Sequence, residues 1–321
     1  MNKPIFLHDT SILTTNLGDE IIMDAVRTEL REIFPHAYFL NAPTHDNLGK
    51  EAVRMLNELP FSFVGGTNLL SGNMDKYNQW KINLKSVGKL KNVILMGVGW
   101  WQYQDAVNRY TSFLLKKVLS SQHIHSVRDA YTEDKLRSIG IDNVLNTGCM
   151  TLWKLNSTHC QSIPDVKSDE AVMTFTDYKP SPKYDTELFD IVKKNYRKIY
   201  VWLQGSGDYN YVKELFGSEV EYVESSLSAY DELLSSSTAL DYIGTRLHAG
   251  IRAMQHARRS VIISVDNRAT EMGKNFNLPV IERLGQEKLE NMINAPFETR
   301  IALQTENINA WKAQFAALQD K

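Results

Sequence analysis

ALDYIGTRLHAG (239–250) is the stretch whose reading decides the fold. Ala239 to Ile243 is short, largely apolar and ends at Gly244, which reads as a buried strand. Ala249 to Arg258 reads as a helix, with Leu247, Ile251 and Met254 spaced along one face. With Thr245 as the cap, Arg246, Leu247 and His248 are the first three helical residues. A strand that turns straight into a helix is half of a βαβ unit, so the surrounding chain is expected to alternate strands and helices.

It does. PIFLH (4–8), AYFLNA (37–42), FSFVGG (61–66), NVILMGVG (92–99), HIHSVR (123–128) and NVLNTG (143–148) read as strands. Helical stretches follow near Asp19, with Ile22, Val26 and Ile33 on one face, and at 50–59. KLNSTHCQSIPDVKS (154–168) is polar and loop-like and reads as a linker. The series restarts with AVMTFT (171–176), KIYVWLQG (198–205), VEYVE (220–224), ALDYIG (239–244) and SVIISVD (260–266). The expected class is therefore α/β: two Rossmann-like, doubly wound domains facing a cleft, at 1–155 and 166–300. A last helix (304–319), with Ile308, Trp311, Phe315 and Leu318 on one stripe, is expected to cross back. In such sheets ligands bind beyond the carboxyl ends of the strands.

The 321 residues suit two such domains. The formal charge of −2, with both signs dispersed, does not mark a nucleic-acid binder. Cys149 and Cys160 form no CxxC pair and no zinc spacing, which fits a reduced compartment. MNKPIFLHDTS carries too short an apolar run for a signal peptide, and no apolar run approaches the ~20 residues of a spanning helix. The expectation is a soluble cytoplasmic protein, with peripheral association at the inner face of a membrane left open, and with no metal.

Each chemical motif has a plainer reading beside it. Arg246 and His248 lie where helix N–H groups and the helix dipole favour an anion. Arg246 offers a guanidinium fork and His248 a proton; the plainer reading is an exposed Arg and a capping His. Being at a helix start, Arg246 is not expected to support the core. Arg128, at a strand end before Asp129, is either a second anion ligand or one half of a surface pair, with Asp129 capping the next helix. His123 and His125 share a strand face but have no third metal ligand. In TTNLGDEII (14–22), Asp19 and Glu20 cap a helix, act as base or bind a sugar hydroxyl, beside Asn16 and Gly18. VGGTNLLSG (64–72) allows close backbone approach at Gly65 and Gly66, next to Asn68. Trp100 and Trp101 either stack on a sugar ring or a base or, for one of them, pack in the core. QGSGDYN (204–210) is a glycine turn. Asp266 and Arg268 line the cleft or cap a turn.

The order of these motifs resembles the polysaccharide pyruvyl transferase family: an N-x-G-D-E loop, G-G-x-N-L, a G-x-G strand end, S-V-R-D, and G-x-R-L-H-A-x-I-x-A, across residues 14–285. Gly148-Cys149-Met150 stands where the family often has Gly-Asp-Pro, and Asn267-Arg268 where it often has a Lys after the Asp. The resemblance implies a fold similar to the GT-B glycosyltransferases. It implies transfer of a pyruvyl group from phosphoenolpyruvate to a sugar of a surface glycan or its precursor, as a ketal; a lipid-linked, a nucleotide-linked and a polymeric acceptor all remain open. It places Arg128, Arg246 and Leu247 at the donor and His248 as acid, with Asp19 or Glu20 as base. Asn16, Gly65, Gly66, Asn68, Trp100 and Trp101 are expected toward the acceptor. Phosphoenolpyruvate is a co-substrate, and no cofactor is called for. The rival readings are a GT-B glycosyltransferase using a nucleotide sugar and a non-catalytic glycan binder.

Overall fold

A computed structural model describes residues 4–283 and 285–318. The chain divides into two compact units. One holds the chain up to Thr14, Ile22–Trp153 and the residues from Leu303 on; the other holds Thr15–Ile21 and Lys154–Ala302.

In the first unit, β1 (Ile5–Asp9), β2 (Phe39–Pro43), β3 (Ser62–Gly65) and β4 (Val93–Met96) form a parallel sheet in the order β2-β1-β3-β4. β5 (His125–Val127) and β6 (Val144–Asn146) are also parallel. They continue from β4 through the Val98–Val127 bridge and the Gly97 N–H donating to Ser126 O at 3.0 Å. The helices are α1 (Leu17–Ile33), whose first turn groups with the second unit, α2 (Lys50–Asn57), α3 (Arg109–Val118) and α4 (Ala130–Ser138). Phe6, Val64, Leu95, Val98, Leu114, Val127 and Leu136 make the core. The two adjacent glycines are packing requirements. A Cβ on Gly65 would lie 2.5 Å from Met23 Sδ on α1, and one on Gly66 would lie 2.1 Å from Gly97 O.

Two histidines are sealed into this unit. His8 is buried with Nε2 3.3 Å from Ser62 Oγ, and burial lowers its pKa to about 3. His125 takes the Leu95 N–H at Nδ1 and reaches Ser120 O from Nε2 at 2.8 Å; burial lowers its pKa to about 4. Both native values lie below the unfolded 6.5, so the stability they contribute is intact above pH 6.5 and is lost as pH falls toward 4. Each should remove about 1.4 kcal/mol per pH unit across that window. Urea unfolding between pH 7 and 5 checks this, and His125→Asn should flatten the slope by about half; a pH-independent midpoint would refute it.

The second unit comprises β7 (Glu170–Thr174), β8 (Lys198–Trp202), β9 (Glu221–Val223), β10 (Leu240–Gly244), β11 (Ser260–Ser264) and β12 (Val280–Glu282). They pair in parallel in the order β12-β11-β10-β7-β8-β9. Counted from β7, this is the doubly wound order 3-2-1-4-5-6, whose topological switch lies between β7 and β10. The helices are α5 (Ser157–Cys160), α6 (Pro182–Asn195), α7 (Asp208–Phe216), α8 (Leu227–Ser235), α9 (Leu247–Gln255), α10 (Asn267–Phe276) and α11 (Gln286–Asn294). The expected linker thus contains α5, started by Asn156, whose side chain accepts the His159 N–H. β12 was not legible in sequence. It is three residues long behind Pro279 and is defined by its pairing with β11, a non-local contact.

The final helix is α12 (Thr305–Ala313), followed by a 3₁₀ turn at Ala316–Leu318. Its stripe is apolar as expected: Trp311 and Phe315 are buried and meet Phe63 edge-on, at 6.1 and 5.4 Å between centroids. The Leu318 side chain and residue 319 lie outside the described residues.

Candidate active site

The switch point between β7 and β10 is where a doubly wound sheet opens a crevice, and the residues after these strands line a pocket. Strand bonding runs one residue further than the sequence suggests. Thr245 N–H donates to Thr174 O at 2.9 Å, and Thr245 Oγ1 lies 2.8 Å from Thr176 Oγ1. With Thr245 committed to β7, the cap position of α9 passes to Arg246 in extended backbone. The first three helical residues are therefore Leu247, His248 and Ala249, whose N–H groups lie at the positive end of the helix dipole. His248 is buried and lines the pocket.

Arg246 corrects the expectation drawn from its place at a helix start: it is 3% exposed and supports the interior. Nε donates to Phe175 O at 2.9 Å, and Nη2 donates to Asp177 at 2.8 Å and to Asp208. Burial pushes the Asp208 carboxyl upward, and Arg246 opposes that shift. The glycine turn now has a reason. A Cβ on Gly205 would lie 2.3 Å from Arg246 Nη2, so the arginine occupies the space a side chain would need. The Tyr178 ring lies 5.0 Å from the Arg246 guanidinium and 5.8 Å from that of Arg268. Arg268 donates to the Tyr178 hydroxyl and to both oxygens of Asp266. Asp266 also caps α10 by accepting the Arg268 N–H at 3.0 Å. The capping role left open for this pair is thus filled, and both residues also line the pocket of the second unit.

The start of α1 belongs to the same unit. Asn16 lines the pocket, and its Oδ1 accepts the Gly18 N–H at 3.1 Å and Gln204 Nε2 at 2.7 Å. Asn16 thus accepts a first-turn N–H of α1, beside Asp19 and Glu20, for which capping was one of the roles left open. Asp19 is buried and Glu20 half-buried in the first turn, and neither lines this pocket. Tyr178, Gln204, Asp177 and Asp208 were not singled out from sequence. The glycine turn 204–210 signalled only Gln204 and Asp208, which it contains; nothing local marked Asp177 or Tyr178.

Arg128, in the first unit, is 1% exposed, so it is not half of a surface pair. Nη2 donates to Asn68 Oδ1 at 2.6 Å, while Nε stands 3.4 Å from Asp129. Asp129 is engaged as the cap of α4 through the Thr132 N–H. Nη1 is buried and has no hydrogen-bond partner among the described residues. A Cβ on Gly99 would lie 2.2 Å from Nη2, so that glycine makes room for the guanidinium. Trp100 takes the packing alternative: it is buried, with Nε1 donating to Gln104 at 2.7 Å. Trp101 is half-buried and stacks on Tyr77 at 3.6 Å. Among the described residues no His, Cys, Asp or Glu group is arranged to hold a metal ion.

The chain is a mixed α/β protein with parallel, doubly wound sheet order in its second unit, and a buried arginine and histidine stand at the G-T-R-L-H-A turn. The family model for polysaccharide pyruvyl transferase matches residues 16–267, most of the chain, and the protein belongs to that family. No curated protein matches it. Among solved structures, the S. aureus MnaA–UDP co-structure is similar, with a TM-score of 0.45 and 10% identity over 93% of this chain and 92% of that one. No helix among the described residues is long and apolar enough to cross a membrane.

Proposed function

We propose that the protein transfers the pyruvyl group of phosphoenolpyruvate to two hydroxyls of one sugar, forming a ketal and releasing phosphate. The reading rests on one observation within a member of this family: the N-terminal turn of α9 presents His248 in a pocket it shares with Arg246 and Arg268. Phosphoenolpyruvate carries a phosphate and a carboxylate on a small frame, and helix N–H groups with guanidinium donors suit both. Arg246 and the Leu247 backbone hold the donor, its charge balanced by Asp177 and Asp208. Arg268 adds a cation at the same pocket.

His248 delivers a proton to the methylene carbon, making the adjacent carbon electrophilic. One sugar hydroxyl adds there and loses its proton to a base. The second hydroxyl displaces phosphate, and its proton leaves with the phosphate. The donors around the phosphate stabilise charge as it develops. Asp266 is the carboxylate that lines the pocket, whereas Asp19 and Glu20 occupy the first turn of α1. Asp266→Asn, Asp19→Asn and Glu20→Gln, compared by turnover against pH, identify the base. In the first unit we assign Arg128, through Nη1, to an anion of the substrates, with Asn68 orienting it. Trp101 is the aromatic assigned to the acceptor, and Gly65 and Gly66 serve it through backbone packing. The acceptor belongs to a cytoplasmic glycan precursor, lipid-linked or nucleotide-linked, and the protein meets lipid-linked sugar at the membrane surface.

Incubation with phosphoenolpyruvate and candidate glycans, following phosphate release and addition of a pyruvyl group by mass, tests the reading. Turnover of a nucleotide sugar without phosphoenolpyruvate would replace it with glycosyl transfer. Arg128→Ala is expected to weaken calorimetric binding of one substrate anion, phosphoenolpyruvate or a phosphorylated acceptor, by about tenfold or more, the worth of a hydrogen bond to a charged group. Unchanged affinity for both substrates in the folded variant would return Arg128 to a purely structural role.

A further inference from the structure

We infer that Gln204 is an acceptor-positioning residue: its Oε1 takes a hydrogen bond from a sugar hydroxyl in the pocket of the second unit. The inference rests on the pyruvyl-transfer reading for the identity of the other ligand. Gln204 follows β8, lines the pocket and is 4% exposed. The orientation of its amide is set by a chain of donors. The Gly18 N–H can only donate, so Asn16 Oδ1 accepts from it at 3.1 Å. The group facing that same oxygen at 2.7 Å must then be the NH₂ of Gln204. Oε1 is left as a carbonyl acceptor, buried and without a hydrogen-bond partner among the described residues. The backbone fixes the residue further, since Gln204 O accepts the Leu17 N–H at 2.9 Å.

Such an oxygen requires a donor. Ionised phosphoenolpyruvate has none: its phosphate and carboxylate only accept. Arg246, His248 and Arg268 supply donors to an anion, so the pocket combines donors for one ligand with an acceptor for another. A sugar hydroxyl meets the second requirement and is the group that must attack. Gln204 also ties this position to the start of α1, where Asn16 is the cap.

The test is binding of methyl hexopyranosides of glucose, galactose and mannose and of their 2-acetamido analogues, by saturation-transfer NMR in the presence of phosphoenolpyruvate. Wild-type protein should bind at least one of them. Gln204→Leu should weaken that glycoside about tenfold or more, while phosphoenolpyruvate affinity by calorimetry stays within about threefold. A monodeoxy series on the wild-type protein needs no substitution: removal of one hydroxyl should cost as much as Gln204→Leu. In the variant that hydroxyl should become dispensable. The inference is overturned if no glycoside binds the wild type, if none depends on a single hydroxyl, or if donor and glycoside affinity fall together in the variant. Glycoside binding that depends on Gln204 without any phosphoenolpyruvate binding would overturn the donor assignment and leave the hydroxyl site standing.

Discussion

Replacing His248 with glutamine is expected to lower pyruvyl-transfer turnover by about 10²–10⁴-fold, the usual worth of a general acid. Phosphoenolpyruvate affinity should change far less. The distinction follows from where the interaction is made. Proton delivery to the methylene carbon exists only in the transition state, so its loss appears in kcat, whereas uniform binding appears in KM. His248 is buried in the first turn of a helix, so its replacement also perturbs packing. Thermal unfolding and steady-state kinetics on the same variant separate the two effects. A variant that melts earlier yet turns over at the wild-type rate would remove His248 from the chemistry. A variant that stays folded, binds donor and transfers nothing is the expected result.

Arg246→Ala is expected to destabilise the protein by about 3–5 kcal/mol, as removal of one partner from a buried ion pair does. Its sequence position suggested a residue replaceable without harm to the fold, and the structure reverses that. Asp208 is fully buried and depends on Arg246 for a counter-charge. With the guanidinium gone, Asp208 must be neutralised or hydrated inside the unit, and Phe175 O loses its donor. Asp208→Asn in the Arg246→Ala background removes the stranded charge and should recover a large part of the loss. Urea unfolding of wild type, single and double variants measures this as a cycle. A single variant within about 1 kcal/mol of wild type, the range of an exposed pair, would show that the cluster is solvated. Loss of donor binding by Arg246→Ala is then interpretable only alongside this measurement, because the same side chain both holds the turn and faces the pocket.

Much of this protein was written locally. Alternating apolar runs and glycine stops located most of the strands, because a strand buried on both faces must be nearly continuous in apolar residues. The G-T-R-L-H-A turn marked the candidate site, because a strand end followed by a helix start is where N–H groups gather. The Trp311 and Phe315 stripe marked a helix with one buried face. What the sequence did not contain was anything set by pairing at a distance. β12 is a strand because β11 lies beside it, and Thr245 is not a cap because β7 claims its hydrogen bonds. Arg246 is structural because Asp177 and Asp208, far away in the chain, close on it. Gln204 acquires a directed oxygen only when Gly18 and Asn16 fix its amide. Periodicity and residue type are properties of a short window, so sequence determined which elements exist and where charge and aromatic rings fall along them. Burial, counter-charge and amide orientation depend on which windows meet, and only the tertiary structure decided those.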